Sequence, residues 1–383
     1  MEILILLIKL FVVFNLIMGL ASLCTWFERK ASALIQDRVG ANRAGAFFDT
    51  PVLRVENKFI NLLLAPINLT LIVPVFFVIK WMGILGVINT LVCDGVKAIF
   101  KEDFVPEGVS PFLHSLAPFL AVFPVFLAFA LVPLAPQFSI GGYQISAQIA
   151  QIDAGILFVL AMGSVAVYGV AFAGWCGNNK FALLGALRAS AQMISYELAM
   201  GVALVSVIVC YGTLDLYKMV EAQSSTVLGF VPAWGIFTQP LTFIILFIVG
   251  MAETKRGPFD LPESESELVA GYFTEYSGMK FLVFWLGEFA EIALFAIIIT
   301  LLFLGGWHIP YVQFPENSWF GALIGHLVLM GKVIALCILQ IVIRWTLPRF
   351  RFDQLMNLGW KILLPLSIAN LMLYAALKVG GIF

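Results

Sequence analysis

Long apolar runs are the feature of this sequence that most limits its fold. A helix needs about 20 mainly apolar residues to cross the hydrocarbon core of a bilayer. Eight runs near this length lie at residues 3–24, 111–134, 152–175, 191–211, 237–252, 281–306, 320–343 and 360–379. They are continuous rather than alternating, which favours helices over strands. The pattern therefore predicts an all-α integral membrane protein, one membrane domain over residues 1–383 with about eight transmembrane helices.

Composition agrees with a protein that lies in lipid and excludes several other classes. The chain is 61% hydrophobic and 12% charged, whereas soluble domains carry about a quarter charged residues. Its net charge of −1 gives no basic footprint for nucleic acid. Neither a CxxC pair nor a nucleotide, P-loop or zinc-protease motif is present. We expect no metal centre, no disulfide framework and no cofactor bound by this chain.

The first apolar run is interpreted as a retained helix. It has no basic segment before it and no small-residue cleavage site followed by a polar mature chain.

The lysines and arginines between the predicted spans indicate how the chain is oriented. The odd-numbered loops carry Arg29, Lys30, Arg38, Arg43, Arg54, Lys58, Lys80, Lys97, Lys101, Lys180, Arg188, Lys255, Arg256, Lys280, Arg344, Arg349 and Arg351. The even-numbered loops hold only Lys218. The positive-inside rule therefore predicts a multi-pass protein of the cell inner membrane, or an equivalent energy-transducing membrane, with the odd-numbered loops cytoplasmic and both termini outside.

A further apolar stretch at residues 59–93 is broken by prolines and glycines. One unpaired crossing there would reverse every later loop and contradict the charge pattern. A re-entrant hairpin or an interfacial segment is favoured over a pair of crossings, because non-spanning backbone is tolerated at membrane depth where protein covers it.

The segment after the first run places charged residues over apolar ones at helical spacing. It contains Glu28-Arg29-Lys30 and then Gln36-Asp37-Arg38-Val39-Gly40. A helix in the headgroup plane fits this pattern. An ordinary basic flank of a transmembrane helix fits it as well.

The loop at residues 252–280 concentrates carboxylates in a chain that otherwise has few. Asp260 is predicted to cap a short helix with Pro262 in its first turn. On that helix Glu263 and Glu267 would be neighbours whose repulsion raises the pKa of one of them. Two interpretations stay open, a solvated acidic loop and a proton-handling site.

The ionisable residues inside predicted spans include Glu197, Glu288, Glu291 and Lys332. A charge at the bilayer centre costs about 2.5–3.5 kcal/mol on insertion scales, so such residues by default mark a proton or ion path. The alternative is an interhelical hydrogen bond that holds the bundle together.

Four stretches resemble the H-type, quinone-channel membrane subunit of respiratory complex I, the proton-pumping NADH:quinone oxidoreductase. They lie at residues 28–40, 184–197, 253–276 and 348–355, in the family's order. The third, with Pro258-Phe259-Asp260-Leu261-Pro262-Glu263, is the most specific.

The resemblance implies a membrane subunit that is not catalytic alone. It would form the tunnel for quinone, the substrate, and couple quinone reduction to proton translocation. The expected partners are the other complex I subunits of the peripheral and membrane arms, which would hold flavin and iron–sulfur clusters, together with quinone and the lipid bilayer.

Position by position, the resemblance also implies site residues. Quinone-tunnel positions would be Arg29, Arg38, Asp94, Lys97, Arg256, Phe259 and Asp260. Proton-path positions would be Glu28, Glu197, Glu253, Glu263, Glu265, Glu267 and Glu288. Residues 47–83 depart from the family pattern and are predicted to be an insertion.

Two alternatives compete with this function. One is the homologous membrane subunit of an energy-converting hydrogenase, and the other is a free-standing ion-coupled transporter. A transporter would purify alone and active, whereas a subunit would co-purify with its partners.

Overall fold

The protein is almost entirely helical in the part of the chain that the structure, a computed structural model, describes: residues 2–38, 40, 85–140, 143–227, 231–312 and 318–381. The helices are α1 Glu2–Ile35, α2 Leu85–Phe100, α3 Pro111–Phe129, α4 Gly155–Cys176, α5 Lys180–Tyr211, α6 Leu216–Ala222, α7 Gly235–Thr238, α8 Pro240–Glu253, α9 Glu265–Leu268, α10 Gly278–Phe303, α11 Trp319–Thr346, α12 Phe352–Asn357 and α13 Leu364–Val379. A π-helical turn, Leu358–Leu363, joins α12 to α13.

Two short antiparallel strand pairs lie in the connections. Strand β1 (Phe138–Ile140) pairs with β2 (Tyr143–Ile145), with Ser139 opposite Gln144. Strand β3 (Thr226–Val227) pairs with β4 (Val231–Pro232).

The predicted all-α membrane fold is confirmed. Seven of the described helices are long and apolar enough to cross a bilayer: Ile3–Ile35, Pro111–Phe129, Gly155–Cys176, Lys180–Tyr211, Gly278–Phe303, Trp319–Thr346 and Phe352–Val379. Each covers one of the predicted apolar runs.

The remaining predicted span corresponds to α8, which has only 14 residues. The predicted run begins at residue 237, whereas the helix begins at Pro240. Gln239, with φ −138° and ψ 59°, separates α7 from α8. Pro240 explains the break, because proline disfavours the helical conformation of the residue before it.

Contacts near the helix ends show the direction of α8 relative to α5 and α10. The Tyr211 hydroxyl at the end of α5 donates to the Leu302 carbonyl at the end of α10, at 3.1 Å. The Gln192 amide, near the start of α5, donates to the Ala252 carbonyl near the end of α8, at 2.7 Å. Helices α5 and α10 therefore run toward the same end of the bundle, and α8 returns between them in the opposite direction.

The described parts of the odd-numbered loops meet at one end of the bundle, which we call the basic end. Side-chain contacts there join Arg344 to Glu28, Asn179 to Glu275 and Lys280 to Asp103. At the opposite end, Ile156 contacts Leu214 and Lys378 contacts Cys210. The predicted insertion at residues 47–83 lies outside the described residues, and so does most of the apolar stretch at 59–93.

The acidic loop between α8 and α10 is held against α5 through two glycines. A Cβ on Gly185 would lie 2.8 Å from the Gly271 Cα atom. Gly271 has φ +64°, and a Cβ there would collide with the Pro262 carbonyl. Because neither position has room for a side chain, the loop backbone packs directly on the helix, inside the bundle.

The short helix predicted to start at Asp260 begins instead at Glu265. The Asp260 carboxylate pairs with Arg349, at 3.2 Å, instead of capping a helix. The Ser264 carbonyl accepts from the Glu267 and Leu268 amides. Glu263 therefore precedes the helix, and it is not an i,i+4 neighbour of Glu267 on one helix.

Lys332 in α11 has a structural role. Its ammonium donates to three carbonyls just beyond α10, Leu304 (2.7 Å), Gly306 (2.9 Å) and His308 (2.7 Å). It also lies 4.4 Å from the centre of the Trp234 ring. All three ammonium protons are thus used, and the charge stabilises the carbonyl end of α10. These contacts favour the interhelical alternative over a proton path.

We expect Lys332→Met to lower the thermal midpoint of the protein. The change leaves three carbonyls without a donor, a loss on the order of 3 kcal/mol or more. Lys378→Met is the matched control, because Lys378 is exposed and donates to a single carbonyl, that of Cys210 at 3.1 Å. A Lys332→Met protein as stable as the control would contradict the assignment.

Candidate functional site

A cluster of charged side chains occupies the place where the acidic loop enters the bundle. We call it the charge cluster; its members are Glu28, Glu253, Lys255, Arg256, Asp260, Glu263, Glu288, Glu291, Arg344 and Arg349. It extends from the basic end to membrane depth, since Glu291 is about 18 Å before the end of α10 at 1.5 Å per residue. Helix α8 is too short to fill this depth, and the loop fills the rest.

Arg256 lies between α1 and α10. Its guanidinium is 3.0 Å from the Glu288 carboxylate and 3.6 Å from that of Glu28. The same group lies 4.4 Å from the centre of the Phe289 ring. Arg256 is only 5% exposed, so these contacts replace its hydration and link the loop to both helices.

Lys255 pairs with Glu291, which lies on α10 one turn after Glu288. The Nζ to Oε2 distance is 3.2 Å, and the Lys255 side chain is 3% exposed. Burial lowers the pKa of Lys255, but the Glu291 and Glu288 carboxylates raise it more, and the net pKa lies above its ordinary value. The ammonium is therefore ionised.

Asp260 and Glu263 face two arginines at the end of α11. Arg344 lies in the last turn of this helix, and Arg349 follows it. Arg349 contacts Asp260 at 3.2 Å and donates to the Ser264 hydroxyl at 2.9 Å. Arg344 lies 3.9 Å from both carboxylates. Burial raises the pKa of Glu263 well above its ordinary value, and the nearby Glu288 carboxylate raises it further. Glu263 is thus a carboxyl group whose surroundings favour its protonated form.

Aromatic and amide groups fix the geometry around Glu288 and Phe259. The Tyr272 hydroxyl donates to Glu288 Oε1 at 2.7 Å. Phe259 is buried and stacks on Phe350 with ring centres 5.4 Å apart. The Gln192 amide donates to the Phe259 carbonyl at 3.0 Å.

The cluster contains six carboxyl groups and four cations. Two of its carboxyl groups must therefore hold protons if the buried set is to be neutral. Glu263 is one. Glu253 fits the second, because both of its carboxyl oxygens are buried without a hydrogen-bond partner among the described residues. The arrangement can therefore store protons and exchange them as its charge changes.

An apolar cavity of about 100 Å³ borders the cluster, between α3, α4, α5, α8 and α10. Glu253 and Glu291 lie in its wall beside methionine, leucine and isoleucine side chains. Gly163 also lines it, and the Glu197 carboxyl oxygen is 3.5 Å from where a Gly163 Cβ would be. Glu197 and Glu253 thus approach one cavity, with room for about three water molecules at some 30 Å³ each.

Four charged residues of the predicted tunnel lie outside the charge cluster. Arg29 in α1 pairs with Asp94 in α2 at 2.6 Å. The Arg29 guanidinium lies 5.5 Å from the centre of the Trp285 ring. Arg38 and Lys97 are exposed.

Glu267 is the predicted proton-path residue that faces outward. It pairs with Arg188 at 2.6 Å and its side chain is 55% exposed. The side chain of Glu265 lies outside the described part of the structure.

The site residues implied by the resemblance did not include Lys255, Glu291, Arg344, Arg349 or Tyr272, although Glu291 was already marked by its place inside a predicted span. The spacing of Glu288 and Glu291 places both on one face of α10, and this spacing could have identified Glu291 as a site residue. In the sequence, Arg344 and Arg349 were notable only as positively charged residues in a loop between predicted spans. Among the described residues, no group of three or more His, Cys, Asp or Glu is arranged to hold a metal ion.

The fold and the charge cluster together define a multi-pass membrane protein with ionisable groups paired in its interior. A sequence profile of the NADH dehydrogenase family matches residues 79–375. The chain belongs to this family, within the group of H-type subunits of NADH-quinone oxidoreductase, and the resemblance stated above is confirmed.

Individual relatives support the assignment over almost the whole chain. The H-type NADH-quinone oxidoreductase subunit of Protochlamydia amoebophila is 46% identical over 294 residues, 77% of this chain and 85% of the relative. An H-type subunit of Geobacter metallireducens is 40% identical over 364 residues, 95% and 93% of the two chains. Subunit 8 of the Rhodothermus marinus enzyme is 40% identical over 374 residues, 95% and 94%.

We expect Lys255→Met to destabilise the protein by about 3–5 kcal/mol, because it leaves Glu291 buried without its cation. Adding Glu291→Gln should recover part of that loss, and the thermal midpoints of the four proteins in the cycle measure the coupling. The same cycle on the exposed pair Arg351 and Asp353, 3.0 Å apart, should show no coupling. Additive effects at Lys255 and Glu291 would refute the pairing.

Proposed function

We propose that this chain forms the quinone tunnel of a proton-translocating NADH:quinone oxidoreductase and couples quinone reduction to proton movement. It would work with the other complex I subunits, whose flavin and iron–sulfur clusters supply the electrons. The observation that carries the proposal is the charge cluster, where six carboxyl groups share four cations between the basic end and membrane depth.

The tunnel residues form a route from α1 and α2 toward the acidic loop. Exposed Arg38 and Lys97 would lie near its mouth, and the pair formed by Arg29 and Asp94 would follow. Glu28, next to Arg29, contacts Arg256 and so connects this pair to the inner end.

The inner end of this route offers groups suited to a quinone headgroup. Arg256 supplies positive charge, Asp260 lies beside Arg349, and Phe259 presents a flat apolar surface. The headgroup would thus come within the electrostatic reach of the charge cluster.

The coupling would be electrostatic. A unit charge 4 Å from a carboxylate changes its energy by about 4 kcal/mol at an effective dielectric constant of 20, which is equivalent to about three pKa units. Negative charge gained by quinone would therefore raise the proton occupancy of the cluster, and loss of that charge would lower it.

The carboxyl groups suggest an order for the proton path. Exposed Glu267, with its neighbour Glu265, would exchange protons with water at the basic end. Inside the cluster, protons would move between Glu263, Glu288 and Glu28 as the charge of the set changes. Glu253 and Glu197 would then pass them across the apolar cavity.

The proposal predicts different effects for two glutamates of the same loop. Glutamine resembles a protonated glutamate, which is the form that the raised pKa of Glu263 favours. Glu263→Gln should therefore assemble normally but lower inhibitor-sensitive quinone reduction and proton pumping in vesicles by about 100-fold or more, the lower end of what a positioned proton-transfer group contributes. Glu267→Gln should have a smaller effect, because water can replace an exposed carboxyl.

Glu221→Gln, at the opposite end of the bundle, serves as the control and should behave as wild type. Normal activity and pumping in an assembled Glu263→Gln complex would return the acidic loop to a structural role.

We also propose that the basic end faces the cytoplasm of a cell with an inner membrane, as the distribution of positive charge favours. In a variant whose five native cysteines are serine, a cysteine at Glu267 should react with a membrane-impermeant maleimide only from the cytoplasmic face. A cysteine at Lys218 should react only from the other face. The reverse pattern would invert the proposed orientation.

A further inference from the structure

A second cavity, of about 450 Å³, lies at the basic end of the bundle. Three segments form it: the residues before and at the start of α3, the end of α4, and the start of α5. Its lining residues are Gly108, Val109, Ser110, Leu113, Gly174, Trp175, Cys176, Asn178, Asn179, Lys180 and Leu183. None of them belongs to the charge cluster or to the predicted tunnel and proton path.

The polar groups of this cavity suit an anion. Lys180 is exposed and forms no ion pair with the carboxylates that the structure describes. The Ser110 side chain precedes α3 without making a capping hydrogen bond. The Asn178 amide nitrogen is 3.9 Å from where a Gly108 Cβ would be, so this amide lies across the cavity from the loop before α3.

The lining residues that the structure describes include no carboxylate. Glu107, next to Gly108, is exposed and forms no ion pair with the described cations. Two other acidic groups of the adjoining segments already have partners in the structure. Glu275 accepts from the Asn179 amide at 2.7 Å, and Asp103 pairs with Lys280 at 3.0 Å. The lysine of the cavity is therefore not neutralised by the described protein around it.

The position of the cavity places it at the membrane boundary. The spans Pro111–Phe129, Gly155–Cys176 and Lys180–Tyr211 all end or begin there. Trp175 is 73% exposed and Phe112 71% exposed beside it. Aromatic residues are enriched at this level of a bilayer, and basic pockets between transmembrane helices bind anionic headgroups.

We propose that this cavity binds the headgroup of one anionic phospholipid. Lys180 pairs with the phosphate, and Ser110 and Asn178 donate hydrogen bonds to its oxygens. The acyl chains lie along the exposed aromatic surface of Trp175 and Phe112. The volume is within the range of about 300–1,000 Å³ that ligand pockets occupy, and the adjoining apolar surface distinguishes a lipid from free phosphate.

The test uses the whole purified complex, stripped of lipid in neutral detergent and then titrated with phosphatidylglycerol. Bound lipid is counted by mass spectrometry. Lys180→Gln should bind less phosphatidylglycerol than wild type at subsaturating lipid, with about fivefold weaker affinity at that site, as loss of one basic contact implies. Asn178→Gly, which keeps the left-handed backbone at φ +48°, should weaken the same site without disturbing the fold.

Lys101→Gln is the matched control, because Lys101 is an exposed lysine at the same end that does not line the cavity. Its lipid count should equal that of wild type, and phosphatidylcholine should not fill the site in any variant. Equal phosphatidylglycerol counts in wild type and Lys180→Gln would overturn the proposal. Complete displacement of the lipid by millimolar inorganic phosphate would overturn it too, since the cavity would then be a site for the free anion.

Discussion

The ion pairs of Arg256 are the interaction on which the rest of the structure depends. A buried guanidinium is tolerated only where carboxylates replace its hydration, and Arg256 finds them on two helices, Glu28 of α1 and Glu288 of α10. Arg344 extends the network to α11 through the same Glu28. The acidic loop is therefore held at membrane depth largely by charge, with close glycine packing against α5. The contacts that hold the helices together are therefore the same contacts that form the candidate site.

The two halves of α10 differ in how they can respond to charge. Its carbonyl end is held by donors from three other helices, Tyr211, Gln223 and Lys332. Its other half carries Glu288, which faces the ion pairs of the loop. The carbonyl end of α10 is fixed by these hydrogen bonds. A change of charge near Glu288 therefore costs less free energy if neighbouring carboxyl groups take up or release protons than if the helix moves. Movement of the helix would break several hydrogen bonds at once.

Sequence reasoning reached the spans and the family but not the pairing inside the site. Apolar runs determine spans locally, so seven of the eight were found with errors only at their ends. Pro240 carried the signal for the break before α8, and it was missed because the run looked continuous. The capping role expected of Asp260 was lost to Arg349, which lies far along the chain. Lys332 looked like part of an ion path because its three carbonyl partners become neighbours only when α10 and α11 pack.

The shortness of α8 has an electrical consequence. Its 14 residues extend about 21 Å, and the remaining depth beside it is filled by a loop rich in charge. Such a loop is more polarisable than an apolar helix. The membrane voltage would therefore fall mainly across the part of the membrane depth that α8 spans. Each elementary charge moved through the full voltage changes in energy by about 2.3 kcal/mol per 100 mV. Protons held in the cluster would then feel little of that voltage, and the step from Glu253 toward the opposite end would carry most of the work against it.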